Sequence, residues 1–282
     1  MITTGTGTGE RTVTSRDGTA IGYVTVGEGE GVLVLGGAWR AGRDYLTFGR
    51  ALADRFAVHL IDRRGRGRSG PQGPGYSIER EIEDLTAVQA RTGATRVFGH
   101  SFGGLIALEA ARRSTTFTHV VVYEPGVSIG GSIPMGWMRP YGDLLAAGDR
   151  RGAFAVMVRG AGGAPPIVER LPVWYLRLLL RVFIRDPAWQ RIDSLMEASL
   201  AEHALLGALD DGTADRFRSI TARTVLLGGG KSRSRFTTVP FAALTAAIPD
   251  ATAEIIPGLD HVAPDEKAPD AVAARVREHL AR

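Results

Sequence analysis

The 282-residue sequence predicts an α/β fold: a mostly parallel sheet covered by helices, with a helical cap inserted after the sixth strand. Three observations lead there. Short apolar runs bounded by glycine-rich turns alternate with segments of helical period as far as Gly126. That alternation stops after Gly126 and resumes at Thr224. A Gly-x-Ser-x-Gly turn, Gly99-His100-Ser101-Phe102-Gly103, follows one strand and opens one helix.

In chain order, an Asp17-Gly18 turn joins two short strands, Arg11–Thr14 and Ala20–Val26. Val32–Leu35 is wholly apolar, as a buried central strand is, and runs into Gly36-Gly37-Ala38-Trp39. A helix follows around Tyr45–Ala53, then a strand, Ala57–Ile61, ending at Asp62. Ile78, Ile82 and Leu85 share one face of a helix over Ile78–Ala90. Arg96–Phe98 leads into the serine turn, Leu105–Arg113 reads as a helix, and Val120–Tyr123 as a strand closed by Glu124-Pro125-Gly126.

From Val127 to Asp215 the chain reads as loops and helices with no clear strand. The strand Thr224–Leu227, a helix near Phe241–Ala247, the strand Thr252–Ile256 and a helix over Asp270–Leu280 complete the pattern. Residues 1–126 and 216–282 therefore form the core, and 127–215 the cap. Within the cap, Arg177, Arg181 and Arg185 recur every fourth position and share a narrow face of an otherwise apolar helix. Such a helix suits a roof over an apolar pocket, the reading its location favours, a contact with a second subunit in a homo-oligomer, or a membrane surface.

Composition narrows the function. With no cysteine, thiolate metal sites, disulfides and cysteine nucleophiles are excluded. The first eleven residues are polar and no run has the length of a bilayer span, so a cytoplasmic protein without stable membrane insertion is expected. The formal charge of +4 is modest and nearly all arginine, with lysine only at Lys231 and Lys267. Its densest stretch, Arg63–Arg68, lies in a glycine-rich loop with few aromatics, which points to a structural or solvated loop and not to nucleic acid.

The chemistry centres on Ser101. A sharp strand-to-helix turn lifts its hydroxyl clear of both elements, and leaves the Phe102 N–H at a helix start, where it can meet an oxyanion. Serine needs a base. His59 and His119 fall in strands and His203 and His279 in helices, while His100 adjoins the serine on a turn that points it elsewhere. His261, in the loop Pro257–Ala263 after the last strand, can return over the carboxyl edge of the sheet. The orienting acid is not where it is first sought: Gly228–Phe236, after Thr224–Leu227, holds no Asp or Glu. Glu124 remains, with a turn-forming role beside Pro125-Gly126 as its alternative. Asp260 is too close to His261 in the chain to reach its ring, and Asp62 keeps company with arginines. The second oxyanion donor is the Ala38 N–H, with Trp39 either walling the pocket or packing the core.

These residues resemble the α/β-hydrolase superfamily, in its cap-bearing, cofactor-independent serine branch. The resemblance rests on Gly36-Gly37-Ala38, Asp62–Ser69, Gly99–Gly104 and Gly258–His261. It implies an α/β-hydrolase sheet, and a triad of Ser101, His261 and Glu124 whose acid has moved to the strand after the nucleophile strand. Three departures stand out. Gly36-Gly37 replaces the usual His-Gly, the acid is displaced, and a serine stands where dehalogenases and epoxide hydrolases carry aspartate. The implied activity is cleavage of a carboxylic ester of an apolar or aromatic small molecule, with no metal and no cofactor. Trp137 and Trp174 in the insertion are candidate pocket residues, each equally able to pack the insertion itself. A lactonase or acyl-transferring, cyclising enzyme would share this chemistry. A ligand-binding protein on the same fold would keep the architecture without turnover.

Overall fold

The computed structural model describes residues 9–281, with Ser234 described by its backbone alone. The chain divides into two compact units, Met1–Gly126 with Ala214–Arg282, and Val127–Thr213.

The first unit is a mostly parallel sheet of eight strands. They are β1 (Gly9–Thr14), β2 (Ala20–Val26), β3 (Glu30–Leu35), β4 (Phe56–Ile61), β5 (Arg96–His100), β6 (His119–Tyr123), β7 (Arg223–Gly229) and β8 (Ala251–Ile256). Their order across the sheet is β1-β2-β4-β3-β5-β6-β7-β8. β1 and β2 pair antiparallel with their neighbours and the remaining pairs are parallel. Val32–Leu35 is buried throughout because β3 lies between β4 and β5, whereas β8 and β1 form the edges and leave residues exposed.

Around the sheet lie α1 (Leu46–Leu52), α2 (Ile78–Thr92) and α3 (Phe102–Ala111). Ser77 caps α2 by accepting the Arg80 N–H at 3.4 Å, and Gly93 closes it at φ 69°. Phe48 of α1 stacks on Phe98 of β5, with ring centroids 4.5 Å apart, in a core that includes Val34, Leu60, Val121 and Leu227. The helix that follows the serine begins at Phe102, three residues before the start read from sequence. The glycines that weaken a helix signal there are required by packing. A Cβ on Gly103 would lie 2.3 Å from the Leu35 carbonyl oxygen, and one on Gly99 2.5 Å from that of Gly103.

The second unit, joining β6 to β7 in sequence, holds α4 (Met138–Ala146), α5 (Arg150–Gly160), α6 (Pro166–Arg170), α7 (Val173–Phe183), α8 (Ala188–Asp193) and α9 (Met196–Ala208). Asp149 caps α5, accepting the Gly152 N–H at 3.0 Å, and also pairs with Arg177 at 2.8 Å. The Tyr141 hydroxyl donates to the Met196 carbonyl at 3.0 Å, tying α4 to α9. The expected three-arginine face is shortened. Ile184 turns to extended backbone (φ −104°, ψ 96°), so α7 ends at Phe183 and Arg185 lies beyond it.

Back in the first unit, α10 (Ser234–Ala247) starts earlier than its apolar residues suggest, and α11 (Pro269–Leu280) ends the chain against α1. β7 extends through Gly229, so two glycines read as loop belong to the strand. No described helix is long and apolar enough to cross a membrane.

Sheet register places the chemistry. Leu35 lies beside Gly99, His100 beside Tyr123, and Tyr123 beside Leu227. The segments that leave β3, β5, β6 and β7 therefore emerge along one carboxyl edge.

Candidate active site

Ser101 leaves β5 with φ 52° and ψ −119°, a conformation that L residues seldom adopt. Its N–H donates to the Tyr123 carbonyl at 3.0 Å, and its own carbonyl accepts the N–H groups of Gly104 and Gly126 at 2.9 and 2.7 Å. The kink is thus tied at both ends, to β6 and to the segment that follows it. Among the described residues the non-glycine positions with positive φ are Trp39, Ser101 and Glu124. All three were singled out from the sequence; Ser101 and Glu124 directly follow strands, and Trp39 lies in the loop leaving one. Strain of about 1–3 kcal/mol at such positions persists only where surrounding bonds hold it.

Glu124 is buried just past β6, with its N–H on the Leu227 carbonyl at 2.8 Å. One carboxylate oxygen, Oε1, accepts the Gly229 N–H at 2.8 Å, and Oε2 meets His261 Nδ1 at 2.7 Å. A carboxylate oxygen accepts, so the His261 ring carries a proton on Nδ1, and its neutral form has its lone pair on Nε2. Gly229 explains why the end of β7 holds no acid. A Cβ there would stand 2.5 Å from the Leu259 carbonyl oxygen, so glycine lets the loop bearing His261 close onto the strand.

A second chain of bonds joins the loops around Ser101. The Gly37 N–H donates to the Tyr45 hydroxyl at 3.1 Å, and that hydroxyl lies 2.6 Å from His100 Nδ1. His100 Nε2 lies 2.8 Å from the His261 carbonyl. A carbonyl only accepts, so the proton sits on Nε2, and Tyr45 donates to Nδ1. His100, set aside as a base from its place on the turn, is instead a buried link between three loops. Burial first, and the neighbouring His261 and Arg40 next, push it well below the usual histidine range, while burial raises Tyr45. Asp265 beside it is raised by burial against the pull of Arg40, with which it pairs.

The remaining sequence-predicted residues are dispersed. Ala38 and Trp39 follow β3, both partly buried, with Trp39 at φ 67°. Among the described residues, the Ala38 and Phe102 N–H groups donate to no protein acceptor. Phe236, which sequence reasoning passed over, places its ring 6.1 Å from that of His261. Trp137 packs inside the second unit, edge-on to Tyr141 and His203 at 5.3 and 4.9 Å, with its indole N–H on the Pro134 carbonyl. Trp174 is 69% exposed on α7.

Buried neutral histidines make stability depend on pH. Desolvation, helped by Arg11, pushes His59 down to about 4. In the unfolded chain both His59 and His100 take up a proton near pH 6.5, so below that pH the unfolded state binds more protons. Stability is full above pH 6.5 and is lost as pH falls toward the folded values, by up to about 1.4 kcal/mol per pH unit for each group. Urea midpoints are expected to drop between pH 7 and pH 5. His59→Gln should flatten that slope, and a variant with the parent's slope would refute the assignment.

Comparison with known proteins identifies the fold and the family. A family model described as "Alpha/beta hydrolase family" matches residues 32–275. An alpha/beta hydrolase from Sphaerobacter thermophilus DSM 20745 superposes with a TM-score of 0.79 at 31% identity, over 96% of this chain and 100% of that one. An esterase from Rhodococcus sp. ECU1013 superposes at 0.68 with 22% identity, over 96% and 98%, a likeness of fold. Among curated proteins, the pimeloyl-[acyl-carrier protein] methyl ester esterase of Serratia marcescens is 37% identical over 93 residues. That match spans 33% of this chain and 35% of the esterase.

Proposed function

The chain belongs to the alpha/beta hydrolase family; from that premise we propose that it is a hydrolase that cleaves a carboxylic ester of an apolar or aromatic small molecule through an acyl-enzyme on Ser101. The observation that carries the reading is the 2.7 Å bond from His261 Nδ1 to Glu124, whose other oxygen is fixed by Gly229. It leaves His261 Nε2 as the basic nitrogen, the tautomer that a serine nucleophile requires.

In the proposed reaction, Ser101 Oγ attacks the acyl carbon while His261 Nε2 takes its proton, and Glu124 stabilises the imidazolium. The Ala38 and Phe102 N–H groups receive the oxyanion. His261 returns the proton to the leaving alcohol as the carbon–oxygen bond breaks. A water then attacks the acyl carbon, giving its proton to the same nitrogen, and the acid leaves as Ser101 is reprotonated. The His261 side chain is 39% exposed, which gives that water a route. Trp39 beside Ala38 and Phe236 beside His261, both partly exposed, supply apolar surface for an apolar or aromatic acyl group.

The test is direct. Wild-type protein is incubated with a fluorophosphonate and with short p-nitrophenyl esters. Covalent label mapped to Ser101, together with ester turnover, is expected. An intact protein that neither labels nor turns over would be a ligand-binding member of the fold, and the reading would fail. Labelling of Ser101 with poor turnover of simple esters would move the substrate to a lactone or a transferred acyl group.

A further inference from the structure

Arg63 takes no part in the steps above, yet it is among the largest fully buried side chains of the molecule. Its guanidinium grips Glu81 twice, Nη2 to Oε1 at 2.8 Å and Nε to Oε2 at 3.3 Å, and Tyr76 O–H also donates to Oε1 at 2.7 Å. Both partners are 1% exposed. Taking such a pair out of water is costly, and the attraction repays it only when the remaining donors are also used. Here they are used: Nη2 also donates to the Tyr76 hydroxyl at 3.5 Å. Nη1 donates to the Gly36 and Gly37 carbonyls, each at 3.3 Å, and the guanidinium lies 4.7 Å above the centre of the Phe102 ring. Arg66 adds a donor to the Gly37 carbonyl at 3.4 Å and to that of Arg40 at 3.2 Å.

The peptide after Gly37 is planar and trans, so its carbonyl and the Ala38 N–H point in opposite directions. Holding the oxygen therefore aims the N–H. The preceding N–H, of Gly37, is already committed to Tyr45. Cationic donors on the carbonyl also polarise the peptide and strengthen its N–H as a donor. We propose that Arg63, reinforced by Arg66, is a positioning residue that aims the Ala38 N–H and braces Phe102, so that both oxyanion donors are set before substrate arrives. A single buried guanidinium thus touches the peptide unit that carries one donor and the ring of the residue that supplies the other. The proposal rests on the ester-hydrolysis reading above.

The test uses Arg63→Lys, which keeps the charge but loses the fork, and the double variant Arg63→Met with Glu81→Leu, which removes the pair without orphaning a buried charge. Each is assayed for kcat and KM on p-nitrophenyl butyrate and for Ki of an aryl trifluoromethyl ketone, whose serine adduct carries an oxyanion. A fall in kcat of about 10- to 100-fold is expected, smaller in the lysine variant. KM should stay within about 2-fold, and Ki should rise by the factor by which kcat/KM falls. Folded variants with unchanged kcat overturn the proposal. So does a loss carried by KM with Ki unmoved, because that is what a purely structural role would give. If the lysine variant fails to fold, the double variant decides. Wild-type protein that neither turns over ester nor labels at Ser101 overturns the ester-hydrolysis reading instead.

Discussion

Replacing Ser101 by Ala is expected to lower kcat/KM for short p-nitrophenyl esters by about 10⁴-fold or more, and to abolish fluorophosphonate labelling. The size follows from the proposed chemistry: without Oγ no acyl-enzyme forms, and only the oxyanion donors and binding remain to assist water. Stability should not follow activity. Alanine keeps the Cβ that crowds the backbone at φ 52° and ψ −119°, so the strained turn is unchanged and the urea midpoint should match the parent's. Ser101→Gly removes the Cβ as well, and should unfold later than the parent by about 1 kcal/mol while being equally inactive. An enzyme that keeps its rate with alanine at 101 has another nucleophile. A glycine variant no more stable than the alanine one would mean that the turn stores no strain.

Much of this arrangement is legible in the residues, because its signals are local. The apolar run Val32–Leu35 marks a strand with neighbours on both sides, and the Gly-x-Ser-x-Gly turn marks a kink. The absence of any carboxylate over Gly228–Phe236 turns attention to Glu124, which the structure bonds to His261. What escaped the sequence depends on contacts between distant segments. Gly103 reads as a poor helix former, yet only glycine fits against the Leu35 carbonyl, so α3 starts at Phe102 and not at Leu105. Gly229 reads as loop because its partner, the Leu259 backbone, arrives thirty residues later.

Arg63 was the harder case. Arginine is ordinarily solvated, and the run Arg63–Arg68 reads as a structural or solvated loop with no sign of which arginines are buried. In the structure Arg63, Arg64 and Arg66 are all buried, with Glu81 and Asp84 of α2 holding the first two. A signal was present. Ile78, Glu81, Leu85 and Val88 recur at helical spacing on one face, and a carboxylate in such a stripe implies a buried cation opposite it. Tyr45 and His100 gave no such warning. One opens a helix and the other sits on the serine turn, and only the fold reveals that their hydrogen bonds connect Gly37 to His261.

The second large effect expected is that of Glu124→Gln, a change of one atom that should lower kcat by about 10³- to 10⁴-fold with little change in KM. The reason lies in the Gly229 N–H, which needs an acceptor at 2.8 Å. A glutamine satisfies it by placing its carbonyl oxygen at the Oε1 position, and that puts the amide NH₂ where Oε2 now meets His261 Nδ1. An NH₂ group donates, so Nδ1 must accept, and the ring proton moves to Nε2. The nitrogen that should take the Ser101 proton is then already protonated, and the imidazolium has also lost its counter-charge. Glu124→Ala tells the two contributions apart. It removes the charge but imposes no tautomer, so its kcat should exceed that of the glutamine variant even though more atoms are lost. If glutamine at 124 leaves kcat near the parent value, Glu124 serves only to shape the Pro125-Gly126 turn, and the bond to His261 is not what prepares the base.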